Sequence, residues 1–388
     1  MSSTITIDKL SSFCKVIAGQ SPKGSAYNEN GVGMEFHQGK KAFGKHIIEP
    51  SNVWTTEITK TALPGDILMS VRAPVGPTNI TDREICIGRG LAAIRCNKDV
   101  NPQFILYALK SIERGIVGRD GAVFNSINKD MIEALPVPNV SKEEQQRIVG
   151  ILDAEFGKID ALKANAEQNL QNAKDLFQAA LKKELEPKEG WQIRTLREVC
   201  GVITDGTHNS PPNTATGDYK YITAKNIKTW GLDLSNVTYV TKDVHKEIVS
   251  RCKPEKGDVL YIKDGATTGI AIINPLEEEF SLLSSVALLK PLKDKLLSKF
   301  LCYALNSPAI YEQTRSQMDG AAITRVTLVK IKGFTIPLPS IKEQLLIVSR
   351  LDALSEKSQL LKDNYTRTIA LCDDLKQALL RKAFSGEL

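Results

Sequence analysis

The sequence of 388 residues predicts an α+β protein with an internal repeat, in which two similar globular domains are separated by two long helices. Three observations predict this. A helix-start signal followed by a long heptad pattern occurs twice, short strand patterns fill the segment before each, and the same short motifs recur in both segments. We expect globular domains at 1–140 and 188–339, and helices at 141–187 and 340–388. Each domain should hold a twisted, mostly antiparallel sheet with short helices, arranged as a pseudo-twofold repeat.

The two long helices begin with the same signal. Ser141 is followed three residues later by Glu144, and Ser340 is followed three residues later by Glu343. This spacing is that of a capping box, in which the two side chains satisfy amides that the first helical turn leaves free. Pro-x-Pro precedes each signal, and Glu-Gln, Ile-Val and Leu-Asp-Ala follow it. The repeat therefore predicts two equivalent helix starts.

Both helical segments carry apolar residues at the alternating spacing of three and four that is typical of a coiled coil. We predict that the two helices pair with each other, because both rows share one register and a similar length. In antiparallel orientation, Ala166, Ala173 and Ala180 would face larger side chains. An intermolecular coiled coil is the alternative. The predicted contact residues of the two helices are Leu152, Ile159, Leu162, Leu176, Leu351, Leu354, Leu361, Tyr365, Leu375 and Leu379.

The globular segments resemble each other at a few short motifs. Gly65-Asp66 matches Gly257-Asp258, and Tyr107-Ala108-Leu109 matches Tyr303-Ala304-Leu305. Between the motifs the two segments differ in residues and in spacing, which favours one scaffold with two sets of loops. The clearest strand patterns cover 66–71, 85–87, 219–223, 259–263 and 270–273, and helical patterns cover 101–114 and 295–306.

Charge and cysteine content limit the class of protein. Of the net charge of +6, the segments 1–140 and 188–339 carry +3 and +4, and the two helical segments together carry −1. A positive surplus in the globular segments is compatible with binding to nucleic acid. Seven scattered cysteines without a CxxC favour buried thiols over disulfides or a zinc site. The sequence has neither a membrane-spanning apolar run nor a signal-peptide pattern, so we expect a cytoplasmic protein.

The sequence contains no recognisable catalytic motif. GxGxxG, the P-loop, GxSxG and HExxH are all absent, and the four histidines stand apart from any metal-ligand spacing. Asn209-Ser210-Pro211-Pro212 is only partly similar to the Asn-Pro-Pro-aromatic loop of amino-methyltransferases, and no glycine-rich methyl-donor loop precedes it. We therefore expect neither a catalytic residue nor a bound metal in this chain.

Glycine-rich polar loops with basic residues recur in both globular segments. Lys, Arg, Ser and Thr can hold DNA phosphates, whereas Arg, Lys, Asn and Gln can read base edges. Ordinary turn chemistry is the alternative for any single loop, so the prediction depends on the recurrence. The predicted DNA contacts are Ser21, Lys23, Gln38, Lys40, Lys41, Lys45, Arg72, Arg119 and Asn125 in the first segment, and Thr207, His208, Asn209, Lys225, Asn226, Lys228, Lys263, Thr267, Thr268 and Arg325 in the second.

The whole pattern resembles the DNA-specificity subunits of Type I restriction–modification systems. The most specific parts are 135–154, 336–353 and the closing 379–386. The resemblance implies two target-recognition domains, each reading one half of a bipartite, asymmetric site in double-stranded DNA. It also implies helices that set the gap between half-sites and dock two modification subunits, which carry S-adenosylmethionine and methylate adenine. Restriction subunits that use ATP and magnesium would join them, and this chain would bind no cofactor.

Two alternatives from other classes remain. One is a fused restriction or methylation enzyme whose catalytic part is not recognisable in the sequence, and methylation or cleavage by the purified chain alone would favour it. The other is a coiled-coil scaffold with no role in nucleic-acid binding. Salt distinguishes the scaffold from a DNA-binding protein, because contacts to phosphates weaken steeply as the salt concentration rises.

Overall fold

The computed structural model describes residues 6–116, 126–317 and 325–388. The chain forms two compact units. Unit 1 comprises Met1–Glu167 with Arg367–Leu388, and unit 2 comprises Gln168–Thr366. Each unit therefore contains one globular part together with one portion of each long helix, because the division falls within both helices.

Unit 1 is built mainly from short strands. Its strands are β1 (Thr6–Lys9), β2 (Cys14–Ala18), β3 (Tyr27–Asn28), β4 (Met34–His37), β5 (Trp54–Thr55), β6 (Thr61–Ala62), β7 (Ile67–Ser70), β8 (Thr78–Ile80), β9 (Ile85–Ile87), β10 (Leu91–Cys96) and β11 (Pro136–Asn139). Its helices are α1 (Pro102–Ile116), α2 (Lys129–Glu133) and the first part of α3 (Lys142–Glu184).

The sheets of unit 1 are mostly antiparallel. One sheet has the order β2-β10-β7-β8, and a second has the order β3-β5-β4-β9-β6, in which β4 and β9 run parallel. Since β2 and β7 both pair antiparallel with β10, they run in the same direction and end at the same edge of the sheet. That edge is also where β10 begins, with Leu91 opposite Ser70 and Ala92 opposite Ala18.

Unit 2 repeats this composition. Its strands are β12 (Gln192–Thr195), β13 (Cys200–Asp205), β14 (Tyr219–Ile222), β15 (Ile227–Lys228), β16 (Gly231–Leu232), β17 (Thr238–Val240), β18 (Val259–Ile262), β19 (Ala271–Ile273), β20 (Ser281–Leu282), β21 (Val286–Pro291) and β22 (Thr335–Leu338). Its helices are α4 (Leu196–Val199), α5 (Lys242–Arg251), α6 (Ser298–Leu305), α7 (Pro308–Ser316), α8 (Leu328–Lys332) and the first part of α9 (Ile341–Ser385).

The four-stranded sheet of unit 2 matches that of unit 1 strand for strand. The order β13-β21-β18-β19 corresponds to β2-β10-β7-β8, and the parallel pair β14 and β20 corresponds to β4 and β9. The two-stranded sheets β1-β11 and β12-β22 also correspond. The predicted α+β class, the mostly antiparallel sheets and the internal repeat are confirmed.

The core of each unit lies between its antiparallel sheet, the helix after that sheet and the long helices. In unit 1, Ile94 of β10 and Phe104 of α1 belong to one buried cluster with Leu152 of α3. In unit 2, Leu289 and Phe300 are buried together with Leu351 of α9. Burial of these apolar side chains is the main term that holds the globular part to the helices.

A glutamine at the start of each long helix joins it to the helix of the globular part. The Gln145 side-chain oxygen accepts from the Asn101 amide at 2.9 Å, and its nitrogen donates to the Val140 carbonyl at 3.1 Å. The Gln344 side chain makes the equivalent bonds to the Leu297 amide at 2.9 Å and the Pro339 carbonyl at 2.9 Å. The repeated Glu-Gln motif is therefore structural.

The repeated Tyr-Ala-Leu and Leu-Asp-Ala motifs meet in space. The Tyr107 hydroxyl donates to Asp153 at 2.5 Å, and the Tyr303 hydroxyl donates to Asp352 at 2.5 Å. Two sequence motifs separated by almost fifty residues thus form one contact in each unit. The predicted capping box forms fully at Ser340 and Glu343, but at the first helix the carboxylate of Glu144 binds Arg147 at 2.8 Å instead.

The long helices pair in antiparallel orientation within each unit. In unit 1, Lys376 binds Asp160 at 2.6 Å and Lys163 binds Asp373 at 2.7 Å. In unit 2, the Ser358 hydroxyl donates to the Ala173 carbonyl at 3.0 Å. Later residues of α9 thus meet earlier residues of α3, as the sequence predicts for helices that pair within one chain.

The predicted contact row was wrong at four positions. Leu162, Leu176, Leu361 and Leu375 are 51%, 55%, 38% and 48% exposed. Leu152, Ile159 and Leu351 are buried, and Leu354, Tyr365 and Leu379 are half-buried. In α3 the packed side chains beside the buried Leu152 and Ala173 come four residues later, at Phe156 and Phe177, and not three residues later as predicted. Phe156 and Phe177 pack edge-on against Tyr107 and Tyr303. A helix presents both flanks of a central row, so spacing alone does not decide which flank is covered.

Candidate nucleic-acid interface

Four loops of unit 1 converge at the sheet edge where β2 and β7 end. The Gly19 amide donates to the Leu91 carbonyl at 2.9 Å, and the Val71 amide donates to the Gly90 carbonyl at 3.0 Å. The Gly88 amide donates to the His37 carbonyl at 2.9 Å. Backbone hydrogen bonds thus join the loops after β2, β4 and β7 to the turn between β9 and β10. We call this group of loops the unit 1 loop cluster.

The unit 1 loop cluster brings predicted contact residues together. The Ser21 hydroxyl donates to Gln38 Oε1 at 3.0 Å and accepts from the Arg89 amide at 3.2 Å. Arg72, on the neighbouring loop, forms a backbone bridge with Ser126 and is exposed. Arg89 was not among the predicted contacts. The sequence signal for it is Gly88-Arg89-Gly90 between two apolar strands, a basic residue in a tight turn.

Unit 2 forms an equivalent group, which we call the unit 2 loop cluster. The Thr207 amide donates to the Leu282 carbonyl at 2.9 Å, and the Ser284 amide donates to the Thr207 carbonyl at 2.8 Å. The Lys263 amide donates to the Ser285 carbonyl at 3.0 Å. Since the Leu283 amide also donates to the Ile222 carbonyl at 3.0 Å, the loops after β13, β14 and β18 meet the turn between β20 and β21, as their counterparts do in unit 1.

A glycine at an equivalent place in each cluster permits this close approach. Gly19 follows β2, and Gly206 follows β13. A Cβ added to Gly19 would overlap the Gly88 carbonyl oxygen, and one added to Gly206 would overlap the Leu282 carbonyl. Any larger residue would push the first loop away from the turn that it contacts.

Several predicted contact residues are exposed on the surface of the clusters. In unit 1, Lys40 and Lys41 are exposed in a single 3₁₀ turn, and Lys23 is exposed one loop away. Lys45 is also exposed, with its ammonium 3.5 Å from Asp160 of α3. The exposed predicted contacts of unit 2 are His208, Asn209, Lys225, Thr267 and Arg325, while Thr207 and Lys228 are half-buried.

Lys263 was predicted to contact DNA, and this was wrong. Its side chain is 2% exposed, and its ammonium lies 2.9 Å from Asp264 and 3.6 Å from the buried Asp205. Asp205 also accepts from Arg251 at 2.5 Å, and Arg251 lies 3.0 Å from His208 Nε2. The lysine therefore neutralises the buried Asp205 and the half-buried Asp264 beneath the loop that carries Thr207 and His208. A buried ammonium persists because it is paired in this way.

Asn226 and Thr268 also differ from their predicted role, because both are buried. The Asn226 side chain accepts from the Thr223 amide at 3.0 Å and donates to the Asp233 carbonyl at 3.1 Å. The Thr268 hydroxyl donates to the Gly265 carbonyl at 2.7 Å. Both residues hold turns, which is the ordinary chemistry of these residue types. Arg119 and Asn125 lie outside the described residues.

A buried ion pair supports the loop that carries Gln38. Arg83 donates to both oxygens of Glu35 at 2.7 Å, and His37 Nε2 lies 2.7 Å from the same carboxylate. Burial acts to raise the pKa of Glu35, but hydrogen bonds from Arg83, the Ser51 amide and His37 lower it to about 2. Burial lowers the pKa of His37. The pair holds the end of β4, from which Gln38 projects.

A cavity of about 470 Å³ lies in unit 1 between the globular part and the long helices. Its lining includes Lys45, Lys110, Asp160 and Lys376. Burial lowers the pKa of Lys110, and Lys376 is paired with Asp160 at 2.6 Å. Its lining thus combines cations with carboxylates. Within 6–116, 126–317 and 325–388, no group of three or more His, Cys, Asp or Glu residues is placed to hold a metal ion. None of the helices in these ranges is long and apolar enough to span a membrane.

The duplicated fold and the two loop clusters define a class: a protein that presents exposed polar loops at equivalent places on two copies of one α+β scaffold. A family model described as Type I restriction modification DNA specificity domain matches residues 3–172 and 188–369. The chain therefore belongs to this family. By family, it is a Type I restriction–modification specificity subunit.

Curated relatives carry the same description. The putative type I restriction enzyme MjaX specificity subunit of Methanocaldococcus jannaschii is 41% identical over 165 residues, which are 42% of this chain and 38% of the relative. The chain thus matches well under half the length of that relative. The type I restriction enzyme EcoBI specificity subunit of Escherichia coli is 24% identical over 358 residues, covering 84% of this chain and 74% of the relative.

Solved structures share the fold. A chain from work on complex assembly and conformational transition of the type I R-M system has a TM-score of 0.77 at 20% identity, covering 99% of this chain and 98% of its own. The HsdS subunit from Thermoanaerobacter tengcongensis has a TM-score of 0.56 at 20% identity, covering 99% of this chain and 97% of its own. At this identity the likeness concerns the fold.

Proposed function

We propose that this chain recognises a bipartite, asymmetric target in double-stranded DNA and directs adenine methylation and restriction there by partner subunits. One observation carries the proposal: equivalent backbone hydrogen bonds, such as those from Val71 to Gly90 and from Lys263 to Ser285, join the loops of both clusters, but different side chains occupy equivalent positions. Ser21 corresponds to His208, and Arg72 corresponds to Asp264. One scaffold with two sets of exposed side chains suits the reading of two different half-sites.

The exposed residues have the chemistry that DNA recognition needs. Lys23, Lys40 and Lys41 supply positive charge for phosphates around the unit 1 loop cluster. Gln38 and Asn209 carry amides that suit adenine edges, and Arg325 carries a guanidinium that suits guanine. The buried residues Lys263, Asn226 and Thr268 support these loops from beneath.

The long helices are suited to docking two modification subunits and to setting the gap between half-sites. In unit 1, Leu162, Leu371 and Leu375 are exposed on the helices, and in unit 2, Leu345, Leu346, Leu360 and Leu361 are exposed. Clustered apolar side chains at a surface mark sites of protein association. The 43 residues of α3 extend about 65 Å, and one turn of duplex takes about 34 Å.

Partner subunits supply the chemistry in this proposal. The modification subunits hold S-adenosylmethionine, and the restriction subunits use ATP and magnesium. The chain itself binds no cofactor, acts with DNA in the cytoplasm and decides only where the reaction occurs.

A methylation assay tests the proposal. The chain and the modification subunits encoded beside it are purified separately and together, and methyl transfer to adenine in genomic DNA is measured. We expect sequence-specific transfer only from the mixture, and a DNA affinity that falls steeply with salt. Methylation or cleavage by the chain alone would show an enzyme. Methylation by the modification subunits alone, with the same sequence specificity as the mixture, would contradict the proposed role.

A further inference from the structure

The turn between β9 and β10 presents one arginine at the centre of the unit 1 loop cluster. Arg89 lies between Gly88 and Gly90, and its side chain is exposed. Across the part of the chain that the structure describes, its guanidinium has no hydrogen-bond or ion-pair partner. The half-buried Arg83, by contrast, is engaged with Glu35 and Asp82. Arg89 is therefore a cation that the fold itself does not use.

The backbone that carries Arg89 is held on every side. The Arg89 amide donates to the Ser21 hydroxyl at 3.2 Å, and the Gly90 amide donates to the Gln38 carbonyl at 3.1 Å. A Cβ on Gly90 would overlap that same carbonyl oxygen, and one on Gly88 would lie 2.7 Å from Gln38 Oε1. The packed turn is thus fixed in position, and only the arginine side chain remains to be ordered when a ligand binds.

Building on the function proposed above, we propose that Arg89 is a specificity-determining residue that reads guanine in the half-site recognised by unit 1. Guanidinium donates two parallel hydrogen bonds to O6 and N7 of guanine in the major groove. Recognition of a base requires that the backbone carrying the side chain is held in a fixed position, and the hydrogen-bonded turn meets this requirement. Lys23, Lys40 and Lys41 lie on neighbouring loops of the same cluster and are suited to the phosphates.

The same position in unit 2 cannot act in this way. Backbone hydrogen bonds align Arg89 with Ser284, since the preceding amides, of Gly88 and Leu283, donate to the His37 and Ile222 carbonyls of the equivalent strands β4 and β14. Ser284 is short and 9% exposed. Reading through this turn is therefore a property of unit 1 alone, and its loss should affect one half-site only.

The test uses the full chain assembled with its modification subunits, with the variants Arg89→Ala and Arg89→Lys. Lys98→Ala is the matched control, because Lys98 is an exposed cation of unit 1 beyond the opposite end of β10. The set of methylated adenine sites is sequenced, and affinities for the target and for single-base variants of it are measured. Equal melting temperatures establish that the variants are folded.

We expect Arg89→Ala to reduce discrimination at one guanine of one half-site by about tenfold to hundredfold, with the other half unchanged. Arg89→Lys should lose part of this discrimination, and Lys98→Ala should lose none. An unchanged target in Arg89→Ala would overturn the inference. So would a uniform loss of affinity for all sequences with a salt slope smaller by about one, which is the signature of a phosphate contact. If the wild-type complex itself showed no sequence preference, the proposed function would be overturned as well. A wild-type preference that Arg89→Ala leaves unchanged would overturn the Arg89 inference alone.

Discussion

Individual polar side chains explain why short motifs recur in two otherwise different domains. The Gln145 and Gln344 amides each bridge the start of a long helix to the start of a helix in the globular part. Removing a buried amide of this kind would leave both of its partners without a hydrogen bond, which costs about 1–3 kcal/mol for each group. Lys263 shows the same principle for charge, since it neutralises two carboxylates beneath a loop that the proposal assigns to DNA.

The buried pair of Glu35 and Arg83 should make the stability of unit 1 depend on pH. The folded pKa of Glu35 is about 2, below an unfolded value of about 4.3. Its contribution to the unfolding free energy is therefore fully present above about pH 4.3 and is lost as the pH falls towards 2. Glu35→Gln should lower stability at neutral pH and flatten the dependence in that range, as measured by urea unfolding.

Glu29→Gln is the control for this prediction, because Glu29 is exposed. It should leave both the stability at neutral pH and the acid dependence close to those of the wild type. If Glu35→Gln retained the full acid dependence, the ion pair would not be its source.

At the scale of elements, the sequence predicts where helices and strands lie better than it predicts which of their side chains are buried. The strands at 85–87 and 259–262 and both long helices lie where periodicity places them. The predicted burial of Leu162 and Leu176 was wrong, because the spacing of leucines does not show which side of the helix is covered by the rest of the chain. Lys263 was wrong because a lysine beside glycine in a loop has the same local pattern whether it points inward or outward. Arg89 was missed because its neighbours in space come from three other loops.

Two leucines of α3 allow its buried side and its exposed side to be tested separately. Leu152 is fully buried, whereas Leu162 is 51% exposed. Leu152→Ala should lower the unfolding free energy by about 2–5 kcal/mol, because it leaves a cavity. Leu162→Ala should change it by less than about 1 kcal/mol, while weakening association with the modification subunits. Chemical unfolding of the chain and titration with those subunits measure the two effects, and equal destabilisation by both variants would contradict the arrangement of the helices.

At the scale of the whole molecule, duplication of one scaffold would account for the two-part target that we propose. The strand order, the backbone hydrogen bonds of the loop clusters and the helix-start contacts are repeated. The exposed side chains are not repeated, and these are the residues that would touch bases. Sequence predicts the scaffold because its motifs recur. The side chains that each cluster exposes depend on how several loops combine in space, and no single segment of sequence contains that information.

Sequencing of adenine methylation tests this account most directly, in three strains that share the modification subunits. One strain lacks the chain, one carries it, and one carries it with Thr207, His208 and Asn209 replaced together by Ala. We predict a bipartite methylated motif only when the chain is present, and in the third strain a change confined to one half of that motif. Absence of a motif from a strain with an assembled complex, or a change in both halves, would contradict the reading of one half-site by each unit.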